Sequence, residues 1–267
     1  MRRSPALSLR RVEGGTTFPD VRTILFYLTL VGQTLGWGSF VIVASLFGMR
    51  SRPGNLFDRI PRMFSRGVMR AAGAEVVVHN PEKILGDRTA VYVANHVSWF
   101  DIFALASVLP HYRFIAKAEL RRLPFFGPAA GKIAAIYVDR KNRKAAFDAY
   151  RVAAEQVKEG VSVVVCPEGT RGTSYSLRPF KKGPFVLAIA AQTPIVPVVI
   201  YGTREVQPKG AYRVRPATIE ITVLDPVSTA GHGYEERDAL MRRVWQPMAA
   251  ELKRRYGVES QEGVAVE

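Results

Sequence analysis

The chain has 267 residues, 48% of them hydrophobic, and carries 38 Lys and Arg against 23 Asp and Glu for a formal net charge of +15. That size and composition suit one globular domain with a sizeable core plus an appended element, and the charge points to anionic partners: nucleic acid, acidic lipid headgroups or phosphorylated substrates. A single cysteine, Cys166, excludes an intramolecular disulfide and any multi-cysteine metal site, consistent with a reducing compartment.

A basic leader with Arg2, Arg3, Arg10, Arg11 and Arg22 opens the chain, and residues 23–49 then contain no charge at all. That run exceeds the roughly 20 apolar residues a helix needs to cross hydrocarbon, so it belongs in a membrane. A cleaved signal peptide fits less well, because such segments have apolar cores of about 7 to 15 residues. Gln33, Gly32, Gly36 and Gly38 interrupt the run, which leaves two options, one spanning helix or a helical hairpin. Arginines follow as well as precede it (Arg50, Arg52, Arg59, Arg62, Arg66, Arg70), and this favours both ends on one face of the bilayer. They would also hold the globular part against anionic lipid, at about 1 kcal/mol per charge near the surface. Residues 57–72 place Ile60, Phe64, Val68 and Met69 on one side of an amphipathic, interfacial helix that Gly73 ends.

Short β-branched runs come next: "AEVVVHN", "TAVYVAN", "YRFIAK", "IAAIYVDR", "VSVVVCPEG" and "TPIVPVVIYG". A helical pattern over residues 143–159 repeats Ala146, Tyr150, Ala153 and Val157. Strands alternating with helices predict an α/β fold with a mostly parallel central sheet flanked by helices. "ATIEITVLD" alternates apolar and polar residues, as an edge or half-exposed strand does, and residues 235–256 read as a charged helix interrupted at Pro247. The expected organisation is an N-terminal leader, membrane segment and amphipathic helix over 1–72, a catalytic or binding domain over 73–257, and a flexible tail over 258–267.

Two stretches carry chemistry. In "VANHVSWFD", His96 and Asp101 are five positions apart, which sends them to opposite faces of a strand and about 140° apart on a helix. They meet only if a strand ends at Ala94, a turn carries Asn95 and His96, and a helix starts near Ser98. Asp101 then fixes the tautomer of His96 and leaves its other nitrogen free to take a proton. The bland alternative is a capping turn in which Asn95 or Ser98 caps the helix and His96 packs. In "VVVCPEGTRGTS" an apolar strand runs into Glu168, Gly169, Thr170 and Arg171 at its carboxyl end, where open α/β sheets bind ligands. Gly169 allows close approach of the backbone, Thr170 and Arg171 suit a phosphate, and Glu168 is placed to hold Arg171. Cys166 reads as packed rather than nucleophilic.

Together "NHVSWFD" and "CPEGTRGTS" resemble the HxxxxD and FPEGTRS motifs of the glycerolipid acyltransferase family. "AKAELRRLPFFGPAAGKIAAIYVDR" and "TPIVPVVI" are similar to that family's second and fourth blocks, in the right order, so the resemblance covers residues 91–201. It implies His96 as catalytic base and Asp101 as its partner. It further implies Glu168, Gly169, Thr170 and Arg171 as acceptor-binding residues, with Arg171 and Lys117 on the acceptor phosphate, and Asp139 and Arg140 shaping a glycerol-phosphate pocket. Cys166, Ala134 and Gly172 depart from the family pattern, where phenylalanine, glycine and serine are common.

The function so implied is acyl transfer from acyl-CoA or acyl carrier protein, as co-substrate and without further cofactor, to a lysophospholipid hydroxyl. The first-choice acceptor is 1-acyl-sn-glycerol 3-phosphate, with lyso-ornithine lipid or another lysolipid as the alternative. No acyl-enzyme is needed, so Ser98 is expected as a helix cap. The expected location is a bacterial inner membrane rich in anionic lipid, with the domain on its cytoplasmic face. The expected partners exclude nucleic acid. No metal site is expected, and His79, His111 and His232 are expected at the surface or in turns. Two rivals explain part of the sequence: a non-enzymatic basic membrane protein, and a hydrolase using Ser98 or Cys166, whose glycine-flanked nucleophile pattern is absent around Ser98.

Overall fold

Each β-branched run becomes a strand. The computed structural model describes residues 20–139 and 142–261; the basic leader before Asp20 and the last six residues lie outside them. Strands β1 (Ala74–His79), β2 (Val91–Ala94), β3 (Tyr112–Lys117), β4 (Ala135–Val138), β5 (Ser162–Val165), β6 (Ile195–Tyr201) and β7 (Ala217–Val223) form one sheet in the order β1-β7-β6-β2-β5-β3-β4. Every neighbouring pair is parallel except β6 and β7. Of the two expectations for β7, the half-exposed strand is the one found: it lies between β1 and β6, not at an edge, and Thr218 is exposed and Glu220 part-exposed. Its polar Glu220 is accommodated there by His79, at 2.8 Å, and by Arg255, at 3.1 Å.

Eight helices accompany the sheet among the described residues: α1 (Val21–Leu46), α2 (Leu56–Ala72), α3 (Phe100–Val108), α4 (Phe126–Ile133), α5 (Arg143–Lys158), α6 (Gly183–Ala191), α7 (Thr203–Val206) and α8 (Arg237–Tyr256). The two-residue period of a strand divides the core. Val91 and Val93 of β2 face one layer, packed with α5, α6 and α8, whereas Tyr92 and Ala94 face the other, packed with α1, α2 and α3. α8 runs unbroken through Pro247, contrary to the expected interruption. The cost of proline inside a helix, about 3 kcal/mol, is offset by complete burial of Leu240, Val244, Met248 and Leu252 along the same helix. The tail expected to be flexible from residue 258 is docked as far as it is described. Val258 packs on the core, and the Ser260 hydroxyl accepts the Leu177 N–H at 2.9 Å.

α1 is one continuous helix of 26 residues, roughly 39 Å long, so its polar and glycine positions do not break it into a hairpin. Gln33 marks instead where α2 packs, whereas Gly32 and Gly36 have open space beside them and Gly38 lies against Phe125. Gln33 donates from Nε2 to the Phe64 carbonyl at 3.3 Å, and a Cβ on Gly67 would stand 2.6 Å from that Nε2. The hairpin is the α1–α2 pair. Both ends of α1 touch the same folded body: Thr23 accepts the Val214 N–H at 3.1 Å, Phe26 stacks on Phe100 with centroids 5.4 Å apart, and Val41 is buried against Phe57, Ile60 and Ala129. The outer side leaves Leu25, Leu28, Val31 and Val43 exposed, a continuous apolar face for lipid. Phe26, Val68 and Met69 share a core with Tyr92, so α1 and α2 pack as part of the sheet's own core.

Two histidines expected at the surface or in turns lie within hydrogen-bond distance of carboxylates. His111 does occupy a turn, at φ 22°, but its Nδ1 lies 2.9 Å from Asp58 of α2. His79 is in β1, beside Glu220. Burial alone would raise the Asp58 carboxyl, but donors from His111, Gly54 and Arg62 outweigh it and carry it down to about 2.

Candidate active site

β2 and β5 are parallel neighbours near the middle of the sheet, with Val93 opposite Val165, so their chains leave the carboxyl edge side by side. Beyond β2 the turn is pinned by Asn95, whose amide donates to the Ile200 carbonyl at 2.9 Å and accepts the Ile200 N–H at 2.8 Å. Asn95 therefore locks the turn to β6 rather than capping a helix. The next residue, His96, places Nδ1 2.7 Å from Oδ2 of Asp101, in the first turn of α3.

Asp101 is wholly buried, and both its oxygens are occupied. Oδ2 also accepts the backbone N–H groups of Val97 at 2.7 Å and Ser98 at 2.8 Å, while Oδ1 accepts the Thr203 hydroxyl at 2.5 Å. An oxygen set that meets only donors matches a carboxylate. It calls for N–H at Nδ1 of His96, so that in the neutral ring the lone pair is on Nε2, on a side chain 17% exposed. Ser98 serves the helix start, as expected. Its hydroxyl accepts the Phe100 N–H at 3.2 Å, donates to the Gln207 carbonyl at 2.7 Å and is fully buried.

The second motif follows β5. Glu168 is buried and does not hold Arg171, contrary to expectation. Its Oε1 accepts the backbone N–H of His96 at 3.0 Å, since the β2–β5 register brings residue 168 beside residue 96. Glu168 thus ties the turn that carries His96 to the chain after β5. Gly172 adds a second tie, donating its N–H to the His96 carbonyl at 2.7 Å. Gly169 has φ 77°, a left-handed conformation that glycine adopts without strain. Arg171 instead lies over the exposed ring of Trp99, 5.0 Å from its centroid, which braces the guanidinium at the cleft. Thr170 is exposed, and its hydroxyl accepts from Arg178 at 2.7 Å.

Burial pushes the Glu168 carboxyl up to about 8 from its ordinary value of 4.5, against the pull of the His96 N–H and the Arg178 charge. Between those two values the folded protein holds a proton that the unfolded chain has released. Stability from this group is therefore full below about 4.5 and is lost as pH rises through about 8. Glu168→Gln keeps an acceptor for the His96 N–H and removes the titration. Urea midpoints at pH 5.5 and 8.5 should fall further in the wild type than in this variant, by on the order of 3 kcal/mol as an upper figure. Equal falls would show that Glu168 stays charged in the fold.

Lys117 ends β3 and is exposed at the same sheet edge, two strands from β2. Asp139 follows β4 at that edge, farther out, and Arg140 lies outside the described residues. Cys166 is half-buried directly after β5. The sequence reading missed Thr203, Trp99 and Arg178. Only Trp99 had a local signal, an aromatic within the HxxxxD stretch. Thr203 reaches Asp101 across 102 positions and is visible only once β6 lies beside β2.

Comparisons with known proteins agree with this architecture. A family model described as Acyltransferase matches residues 75–201. A 1-acyl-sn-glycerol-3-phosphate acyltransferase of Cocos nucifera is 32% identical over 78% of this chain and 67% of its own length. The alpha form from Ovis aries is 33% identical over 80% and 75%. The crystal structure of the 1-acyl-sn-glycerophosphate acyltransferase PlsC from Thermotoga maritima superposes with a TM-score of 0.73 at 31% identity, over 88% of this chain and 96% of that one. With a shared fold and identity above 30% across most of both sequences, the chain belongs to the acyltransferase family of these enzymes and is a membrane-associated O-acyltransferase.

Proposed function

We propose that this protein acylates the free hydroxyl of 1-acyl-sn-glycerol 3-phosphate to give phosphatidic acid, with acyl-CoA or acyl carrier protein as donor and no further cofactor. The observation that carries the reading is the His96–Asp101 pair at 2.7 Å, with the second imidazole nitrogen unengaged among the described residues. Nε2 of His96 takes the proton of the acceptor hydroxyl, and its oxygen attacks the thioester carbonyl. The carbon–oxygen ester bond forms, the carbon–sulfur bond breaks, and the departing thiolate receives the proton from His96. Asp101 stabilises the imidazolium formed in between, and Thr203 and the two backbone N–H groups hold Asp101 still. No protein nucleophile enters, which agrees with a Ser98 hydroxyl already committed to Gln207.

Arg171, braced on Trp99, and Lys117 meet the acceptor phosphate. The apolar outer face of α1 brings the site to the bilayer surface, where a lysolipid resides, and the natural setting is the cytoplasmic face of a bacterial inner membrane. The test is turnover. Purified protein in detergent is given labelled acyl-CoA with lysophosphatidic acid, a lyso-ornithine lipid and other lysophospholipids, and thiol release is followed. Phosphatidic acid formed fastest, by tenfold or more, is the expected result; preference for another acceptor would reassign the substrate.

A further inference from the structure

The order of strands along the carboxyl edge has a consequence for how two anionic substrates share one base. From β6 through β2 and β5 to β3, the chain ends deliver Arg204, His96, Arg171 and Lys117 in turn. Neighbouring strands lie about 4.8 Å apart, so His96 has cations on both flanks. On the β5 side stand Arg171 and Lys117, assigned above to the acceptor. Between the segment after β6 and the far part of the loop after β5 a cavity of about 140 Å³ is lined by Val97, Gly172, Thr173, Arg204, Pro208 and Lys209.

The backbone at Arg204 and the side chain of Lys209 are held by neighbouring structure. The Tyr175 hydroxyl accepts the Arg204 backbone N–H at 2.9 Å and donates to Glu205 at 2.5 Å, which fixes the start of α7 and engages the Glu205 carboxylate. Lys209 donates to the Arg171 carbonyl at 2.8 Å, tying the loop after α7 to the loop after β5. The Arg204 guanidinium has no ion-pair partner among the described residues and is exposed at the cavity mouth.

We infer that the Arg204–Lys209 cavity is a phosphate subsite for the acyl donor, distinct from the acceptor cluster at Arg171 and Lys117. This rests on the acyl-transfer reading above and assigns the second substrate within it. The two substrates differ in how far their phosphate stands from the reacting atom. In a glycerol 3-phosphate acceptor the free hydroxyl and the phosphate are on adjacent carbons, so that phosphate must sit close to Nε2, as it can at Arg171, whose neighbour Gly172 donates its N–H to the His96 carbonyl at 2.7 Å. In a phosphopantetheine thioester a long flexible arm separates phosphate from carbonyl. That suits exposed side chains reaching out from a separate element beyond β6.

The test uses the full-length protein in detergent, with Arg204→Ala and the pair Arg204→Ala with Lys209→Gln. Glutamine keeps a donor for the Arg171 carbonyl. Donors are acyl-CoA and the phosphate-free S-acyl-pantetheine; acceptors are lysophosphatidic acid and phosphate-free monoacylglycerol. A charge-assisted contact to phosphate contributes roughly ten- to a hundredfold in affinity. The double variant should lose about that factor in the preference for acyl-CoA over S-acyl-pantetheine, through KM of acyl-CoA, while its preference for lysophosphatidic acid over monoacylglycerol stays as in the wild type. The reverse pattern, with acceptor preference lost and donor preference kept, would overturn the assignment, and so would unchanged preferences for both. Absence of acyl transfer by the wild type with every donor and acceptor would instead overturn the catalytic reading itself.

Discussion

Asp101→Asn is expected to lower kcat for acyl transfer by about a hundred- to ten-thousandfold while leaving the protein folded. Asparagine matches aspartate in shape, and its carbonyl oxygen can still accept the Val97 and Ser98 N–H groups that meet Oδ2 at 2.7 and 2.8 Å. Its amide nitrogen is a donor, however, and must then face Thr203, itself a donor to Oδ1 in the wild type. If the side chain flips to satisfy Thr203, the amide confronts Nδ1 of His96, which becomes an acceptor; the ring proton moves to Nε2, and the base is lost. Either rotamer also removes the negative charge that stabilises the imidazolium. Stopped assays of thiol release, with circular dichroism as the control for folding, measure the effect. Thr203→Val should give a smaller loss in the same direction and Thr203→Ser should restore it, because only the hydroxyl donor differs. A rate for Asp101→Asn within a few-fold of wild type would mean that His96 needs no orienting anion.

Phe100→Ala is expected to cost about 3–5 kcal/mol of stability, the range for removing a buried aromatic ring. Phe100 is completely buried, stacks on Phe26 of α1 at 5.4 Å and meets Phe103 edge-on at 5.7 Å. The loss is a large fraction of the roughly 5–15 kcal/mol that holds a domain folded. It is also local to function, since Phe100 precedes Asp101 at the start of α3 and is the point where the membrane helix touches the catalytic turn. Urea denaturation in detergent should show the lower midpoint. Limited proteolysis should cut the α1–α2 connection sooner than in the wild type. Phe26→Ala should release α1 at a lower cost in global stability, because Phe100 would keep its contact with Phe103. Equal effects of the two would show that α1 and the sheet unfold as a single unit.

What was legible in the sequence followed from local chemistry. β-branched runs bounded by turn residues marked the strands, and the spacing of His96 and Asp101 admitted only a strand–turn–helix solution, which is the one found. The misreadings share a cause, which is contact between distant segments. Glu168 and Arg171 are close in sequence and of opposite charge, yet the β2–β5 register gives Glu168 the His96 N–H first. Alternation in β7 left an edge or a half-exposed strand open, and β1 pairs with it, covers that edge and brings His79 to Glu220. Gln33 looked like a break in α1 because nothing local reveals that Gly67 of α2 packs against it, and Gly38 because nothing local places Phe125 beside it. α6 gave no periodic signal, since a helix buried against both the sheet and α8 is apolar nearly all round. Thr203, Arg178 and Arg204 carry no motif of their own, and their positions become meaningful only once β6, β2 and β5 are adjacent.

The most direct test is the His96→Ala protein, purified in detergent and shown to be folded, assayed beside the wild type for phosphatidic acid formed from labelled acyl-CoA and lysophosphatidic acid. Loss of the unengaged imidazole nitrogen should reduce the rate by about a hundred- to ten-thousandfold, with KM for lysophosphatidic acid changed little because Arg171 and Lys117 remain. A folded His96→Ala protein that forms phosphatidic acid at near the wild-type rate would contradict the role given to His96.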